Sequence, residues 1–277
     1  MRISECISDA AALFTENGID TAHLDAEVLV AHALGMERFS LITKQERELT
    51  SEEISRIKRV LRRRAAREPV AYITGSREFY SLDFCVNKHV LIPRPETELL
   101  VDMAIYYVRQ NGTVLDVGTG SGAIAVSVQY CRPDAAVSAS DISEPALKTA
   151  RKNERNILGA KRVEFRKGNL FEPWVGSCFD VIVSNPPYVD PALTDTLQKE
   201  LSYEPEIALY SEDSGRGIIR EIVARAGSHL TGNGILLLEI GSDMKEYIQE
   251  TGNKNGFTVS VLNDYSGLSR VAVLKKG

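Results

Sequence analysis

Thr113-Val114-Leu115-Asp116-Val117-Gly118-Thr119-Gly120-Ser121-Gly122 carries the strongest structural signal in the chain. Its first five residues predict a strand, and three glycines at alternate positions predict a tight turn into a helix beginning near Ala123. Glycine lets the chain turn sharply and brings backbone N–H groups up to a ligand with no Cβ in the way. Ligands of open α/β sheets bind at this carboxyl end of the strands. A second strand ends at Asp141, about the separation expected of an acid that accepts hydrogen bonds from two ribose hydroxyls. The alternative use of that carboxylate is to cap the helix opening at Glu144-Pro145.

Gly118-x-Gly120-x-x-Ala123 also satisfies the dinucleotide pattern, so a nicotinamide cofactor is a rival. Asp116 decides against it. A carboxylate two residues before the first glycine repels a pyrophosphate and suits the cationic sulfonium and ammonium of S-adenosylmethionine. The expected cofactor is therefore S-adenosyl-L-methionine, with S-adenosyl-L-homocysteine as product.

Apolar strands alternate with helical stretches from residue 110 onward, the pattern of a doubly wound, largely parallel α/β sheet. Strands are predicted at 113–117, 136–140, 162–166, 179–184, 234–240, 258–263 and 270–274, the last two forming a hairpin around Tyr265-Ser266-Gly267. Seven strands fit a Rossmann-like methyltransferase sheet better than a six-stranded dinucleotide fold. Upstream, residues 1–78 predict a small helical domain. Leu24, Val28, Leu29 and the run from Ala31 to Leu34 recur at helical spacing, and Gly35 stops that helix. Ser51 is the expected N-cap of a second helix with Ile54, Ile57, Val60 and Leu61 on one face and basic residues on the other. Residues 79–92 predict a β-hairpin linker, including a strand at 89–92. Beyond Pro93 and Pro95, Glu96-Thr97-Glu98 opens a helix at the head of a domain spanning 93–277.

The strand Phe179 to Val183 runs through Ser184 into Asn185-Pro186-Pro187-Tyr188. Two successive prolines cannot donate to a sheet, so the strand stops and a rigid, extended loop begins beside the cofactor turn. An amide or exocyclic aromatic amino group is a poor nucleophile because its lone pair is delocalised. The Asn185 side-chain oxygen and the Pro186 carbonyl can accept both of its N–H groups and aim the nitrogen at a methyl carbon. The Tyr188 ring is expected to stack on the planar group, worth about 0.5 to 2 kcal/mol, while orientation supplies up to roughly 7 to 11 kcal/mol. No strong base is required beforehand. The bland alternative is a loop that only ends a strand.

The rest of the composition narrows the class. The chain has 277 residues, 43% of them hydrophobic and 26% charged, enough for a sizeable core. No apolar run reaches membrane-spanning length and the first residues lack a secretion-signal core, so a cytoplasmic location is expected. Cys6, Cys85, Cys131 and Cys178 are scattered and the four histidines lack ligand spacing, so no metal is expected. Nucleophile-elbow, phosphate-loop and Pro-Cys signatures are absent from the sequence.

Several segments together resemble the release factor glutamine methyltransferases, the PrmC/HemK family, along essentially the whole chain. They are residues 68–75 (Glu68 to Gly75), Arg77-Glu78-Phe79-Tyr80, residues 91–98 (Leu91 to Glu98), residues 116–122, Asn185-Pro186-Pro187-Tyr188 and Tyr203-Glu204-Pro205. Only residues 116–122 and 185–188 are shared with other methyltransferase classes. The resemblance implies that the acceptor is the side-chain amide of the glutamine in the Gly-Gly-Gln motif of class I peptide chain release factors. It implies cofactor contacts from Gly118, Thr119, Gly120, Ser121, Gly122, Asp141, Asn169, Leu170 and Asn185. Some members carry a tryptophan at the adenine-flanking position, which makes the contact from Leu170 less extensive. Asn185, Pro186, Pro187 and Tyr188 would hold the glutamine, with Asn185, Pro186 and Tyr188 catalytic. Arg94 and Glu96 either line the cleft or only fix the start of the next helix. The basic stretch from Glu52 to Glu68, locally about +4, either meets an acidic face of the release factor or is solvated.

An adenine amino-methyltransferase acting on DNA or RNA would use the same tetrapeptide. Such an enzyme must capture phosphates and extract a base from its stack. Outside residues 1–78 the chain carries 21 basic and 25 acidic residues, which opposes nucleic acid as a partner. A non-catalytic module built on the same fold is the other rival, and the intact cofactor and acceptor motifs oppose it.

Overall fold

The computed structural model describes residues 1–276; Gly277, the last residue of the expected 93–277 domain, lies outside the described residues. Two compact units form. One comprises Met1–Ser76 together with Gln198–Tyr203, and the other comprises Arg77–Leu197 and the chain from Glu204 onward.

The first unit holds α1 (Ile3–Glu16), α2 (Ala22–Leu34), α3 (Arg38–Thr43), α4 (Ser51–Ala65) and α5 (Val70–Thr74). Helical spacing puts Ile3, Cys6, Ala10 and Phe14 of α1 on one buried stripe against Ala26, Leu29 and Val30 of α2. Gly35 ends α2 in the left-handed conformation, at φ 64°. Leu24, expected on the apolar face, is 46% exposed. The cap of α4 is Thr50, one residue before the expected Ser51. Its hydroxyl accepts from the Glu53 N–H at 3.3 Å while the Glu53 carboxylate accepts from the Thr50 N–H at 2.9 Å, a reciprocal capping box.

The basic side of α4 is not wholly a solvent face. Arg64 is buried, donating to Asp25 at 2.8 Å and to Glu200 at 2.9 Å, and Arg67 donates to the other Glu200 oxygen at 2.8 Å. Burying a guanidinium is tolerable only when it is paired and hydrogen-bonded in this way. The segment 198–203 is thus held to the helical unit, although it is distant in sequence.

β1 (Ser76–Phe79), whose residues from Arg77 onward belong to the second unit, and β2 (Leu82–Cys85) form the two-stranded hairpin. Tyr80 and Ser81 turn it with φ of 54° and 57°. The hairpin therefore occupies 76–85 rather than 79–92, and the strand expected at 89–92 does not form. The Asn87 carboxamide and carbonyl instead accept from His89 N–H at 2.9 Å and Val90 N–H at 3.1 Å, closing a turn. Beyond it, the Ile92 N–H goes to the Glu204 side chain and not to a strand.

After a 3-10 turn at Pro95–Thr97 come α6 (Glu98–Tyr107), β3 (Thr113–Val117), α7 (Ala123–Cys131), β4 (Ala136–Asp141), α8 (Glu144–Leu158), β5 (Glu164–Lys167) and β6 (Phe179–Ser184). Beyond these lie the short α9 (Glu206–Leu209) and α10 (Glu212–Gly215), then α11 (Gly217–Ala226), β7 (Leu230–Glu239), α12 (Lys245–Lys254), β8 (Phe257–Asn263) and β9 (Ser269–Lys276). One seven-stranded sheet has the order β5-β4-β3-β6-β7-β9-β8, parallel except for β9, which runs antiparallel to both neighbours. This is the seven-stranded, Rossmann-like α/β fold expected from the strand pattern.

Alternation along β3 sends Val114 into a core shared with Leu100, Val101 and Ala104 of α6 and Val126 of α7. Leu115 and Val117 enter the opposite core, with Ile219, Ile222 and Val223 of α11 and Ile248 of α12. Both faces are covered, which explains why these strands read as near-continuous apolar runs. From β3 the chain goes to β4 on one side, and from β6 to β7 on the other. The carboxyl ends of β3 and β6 therefore flank the topological switch point, where such sheets bind ligands.

Candidate active site

A cavity of about 290 Å³ opens at this point. Its floor is the glycine turn. Gly118 and Gly120 have φ of 76° and 57°, and a Cβ built on either would meet no atom of the described residues within 4 Å, so both border open space. The N–H groups of Gly118 and Thr119 go to the Ser140 carbonyl at 2.8 and 3.0 Å, pinning the turn to β4. Gly122 differs from its neighbours. It is not a lining residue, and a Cβ there would meet the Ala150 Cβ at 3.0 Å, so this glycine permits close packing of α7 on α8.

Asp116 lies beneath the turn, fully buried. One oxygen accepts from the Thr119 hydroxyl at 2.6 Å and the Ala125 N–H at 3.2 Å, while Oδ1 has no partner among the described residues. Burial pushes its carboxyl up to about 7 against the lowering effect of those two donors. Asp141 lines the cavity, accepting from the Gly120 N–H and the Ser143 N–H, each at 2.8 Å. Burial raises its pKa and these backbone donors oppose the rise. The N-cap of α8 is Ser143, whose hydroxyl accepts from the Ala146 N–H, so Asp141 is left at the cavity. Asn169 and Leu170 line the same side, Leu170 at a φ of 48° with its carbonyl accepting from Ser140.

The opposite side is built on β6. The Ser184 hydroxyl donates to the Val117 carbonyl at 2.6 Å, tying the end of β6 to that of β3 and setting Asn185 beside the glycine turn. Asn185, Pro186 and Pro187 line the cavity. Asn185 Nδ2 donates to Thr97 Oγ1 at 3.2 Å, Thr97 donates to Glu239 Oε2 at 2.6 Å, and the Tyr188 hydroxyl donates to Glu239 Oε1 at 3.0 Å. Tyr188 is absent from the lining; its ring packs on the core that holds Ile240 and Met244. A half-buried phenol needs a hydrogen-bond partner, and Glu239 supplies it. Burial first, and then the Glu239 charge, raise the Tyr188 pKa. Glu239 is itself raised by burial and held down by the Thr97 and Tyr188 hydroxyls.

Four contributors were not singled out by sequence reasoning: Thr97, Glu239, Glu204 and the apolar wall of Val90, Ile207 and Ala208. Thr97 and Glu204 stand in segments that carry the resemblance, which was the available signal. Arg94 pairs with Glu204 at 2.6 Å, and Glu96 is exposed and outside the lining. Among the described residues, no cluster of three or more His, Cys, Asp or Glu is disposed to hold a metal ion, and no helix is long and apolar enough to cross a membrane.

Residues 5–75 match the PrmC N-terminal domain family and residues 95–211 the methyltransferase small domain family. The chain is 45% identical to a release factor glutamine methyltransferase of Neisseria gonorrhoeae, covering 91% of this chain and 93% of that one. It is 42% identical to another from Burkholderia pseudomallei, covering 90% and 89%. A crystal structure of a methyltransferase from Pyrococcus furiosus aligns with 80% of this chain and 98% of its own, at TM-score 0.56 and 22% identity, a likeness of fold.

Proposed function

We propose, since the chain belongs to the release factor glutamine methyltransferase family, that the cavity at the ends of β3 and β6 binds S-adenosylmethionine and passes its methyl group to a glutamine of the Gly-Gly-Gln motif of class I release factors. The enzyme is a methyltransferase of protein glutamine. The observation that carries the reading is the Ser184–Val117 hydrogen bond of 2.6 Å, which holds Asn185 against the glycine turn. Acceptor clamp and cofactor turn thereby share one cavity.

The residues present fit the cofactor. Gly118 and Gly120 leave a cradle that side chains would fill, Asp141 offers carboxylate lone pairs at its edge, and the unpartnered Asp116 Oδ1 provides negative potential below it. Bound S-adenosylmethionine supplies a methyl group on a cationic sulfur, an electrophile strong enough for a neutral nitrogen. The protein's own task is positioning. Asn185 Oδ1 and the Pro186 carbonyl accept the two N–H groups of the acceptor amide, and the two prolines keep that pair of acceptors rigid. Pro93, Ile207 and Ala208 give the cavity an apolar wall, which disfavours water beside the reacting nitrogen. Tyr188, hydrogen-bonded to Glu239, braces the far end of the tetrapeptide from outside the cavity.

The test is transfer of labelled methyl from S-adenosylmethionine to a purified release factor, beside its Gln→Ala variant and duplex DNA. Label confined to the unaltered release factor is expected; label on DNA, or equal label on both proteins, would overturn the assignment. Asn185→Ala is expected to keep cofactor affinity within a few-fold while turnover falls on the order of 10²-fold or more, since misplacement by about 1 Å has that effect. A matching loss in cofactor affinity would instead put Asn185 mainly in the cofactor pocket.

A further inference from the structure

We propose that Thr97, oriented by Glu239, is a positioning residue that fixes which end of the Asn185 carboxamide faces the acceptor, and so makes the site choose an amide over a carboxylate. The inference rests on the glutamine reading above. It follows from counting protons along the chain of hydrogen bonds. Both Glu239 oxygens accept, one from Thr97 at 2.6 Å and one from Tyr188 at 3.0 Å, and Glu239 is 1% exposed, out of reach of competing water. A threonine hydroxyl has one proton, and Thr97 commits its proton to Glu239. The Thr97 oxygen can then only accept, and it accepts from Asn185 Nδ2 at 3.2 Å.

The opposite amide rotamer would set Asn185 Oδ1 against the lone pairs of Thr97 Oγ1, an unpaired polar contact in a buried place, since Thr97 is 4% exposed. Asn185 is therefore locked with Nδ2 toward Thr97 and Oδ1 free for the cavity that it lines. An acceptor amide offers N–H groups to that oxygen. A carboxylate offers only lone pairs and is repelled. A site built to hydrogen-bond one group rejects the analogue that leaves its polar atoms unpaired. The three side chains come from the 3-10 turn before α6, the end of β7 and the loop after β6, so the relay is a tertiary construction.

The experiment compares Thr97→Val, which keeps the shape and removes the hydroxyl, with Thr97→Ser, which restores it. Three readouts are taken: label transfer to the release factor, cofactor affinity, and inhibition by the release factor whose acceptor glutamine is changed to glutamate. Thr97→Val is expected to lower kcat by ~10-fold or more with cofactor affinity within about twofold, because the amide now samples both rotamers. The glutamate-bearing protein should inhibit Thr97→Val at least ~10-fold more tightly than it inhibits the wild type, and Thr97→Ser should reverse both changes. A purely structural role for Thr97 would not alter the preference between glutamine and glutamate. Equal activity of the Val and Ser variants, or an unchanged preference, overturns the relay while leaving the glutamine reading intact. If Thr97→Val does not fold, Thr97→Ala is read in the same way. Failure of the wild type to label the glutamine overturns the reading and the inference together.

Discussion

Arg94 and Glu204, 110 residues apart, meet at 2.6 Å, and the same Glu204 carboxylate accepts the Ile92 N–H at 3.0 Å. The Glu204 side chain is 2% exposed and that of Arg94 is 32% exposed. This pair joins two walls of the cavity, the loop containing Leu91 and Pro93 and the segment from Pro205 to Ala208. Arg94→Ala leaves a buried carboxylate with one backbone donor in place of two partners. Allowing for the partial exposure of the arginine, the loss is expected at about 2 kcal/mol, read as a shift in the urea midpoint with unchanged slope. Glu204→Gln, which removes the buried charge along with the pair, is expected to lose less.

Gly215, at φ 79°, packs directly on the Tyr188 carbonyl, and a Cβ there would overlap that oxygen. Backbone atoms cannot swing aside as a flexible side chain does, so Gly215→Ala must push the acceptor loop, besides taking about 1 to 2 kcal/mol of left-handed strain. Label transfer is expected to fall by ~10²-fold, with cofactor affinity measured by calorimetry held within a few-fold. Equal losses in both would place the damage in the fold as a whole.

These relationships mark where the sequence stops being legible. The glycine turn, Asp141 and the Asn-Pro-Pro-Tyr loop declare themselves because each follows a strand buried on both faces, and local composition suffices to find them. Thr97 and Glu239 are 142 residues apart, and nothing near either one names the other. The apolar run at 89–92 looks like a strand because apolar periodicity does not report whether the backbone N–H finds a sheet partner; here Asn87 and Glu204 take those donors. Arg64 reads as one more charge on a basic helix. Its burial depends on Asp25 and on Glu200, which belongs to the returning segment. Tyr188 is legible as a motif residue, yet its direction is set by Glu239.

Asp116 gives a pH signature. Burial raises its pKa from 3.8 to about 7 in the folded protein. For an acid raised on folding, the native state binds the extra proton, so the stabilisation is fully present below the unfolded value and is lost as pH climbs through about 7. Relative to Asp116→Asn, whose side chain does not titrate, the wild type should lose stability by up to about 1.4 kcal/mol per pH unit between pH 5 and 6, by about half that rate near pH 7, and change little above pH 8. Urea unfolding of both proteins at pH 5, 6, 7 and 8 measures this, and carboxylates that do not interact with Asp116 cancel in the difference; Asp141, whose charge adds to the rise at Asp116, is the exception. A saturating cationic cofactor above the glycine turn favours the ionised form, lowers this pKa and flattens the slope. A difference curve that is flat without cofactor would mean that Asp116 stays ionised throughout, with Oδ1 satisfied by water. A slope unchanged by saturating cofactor would put the sulfonium and ammonium too far from Asp116 for the carboxylate to contribute to binding.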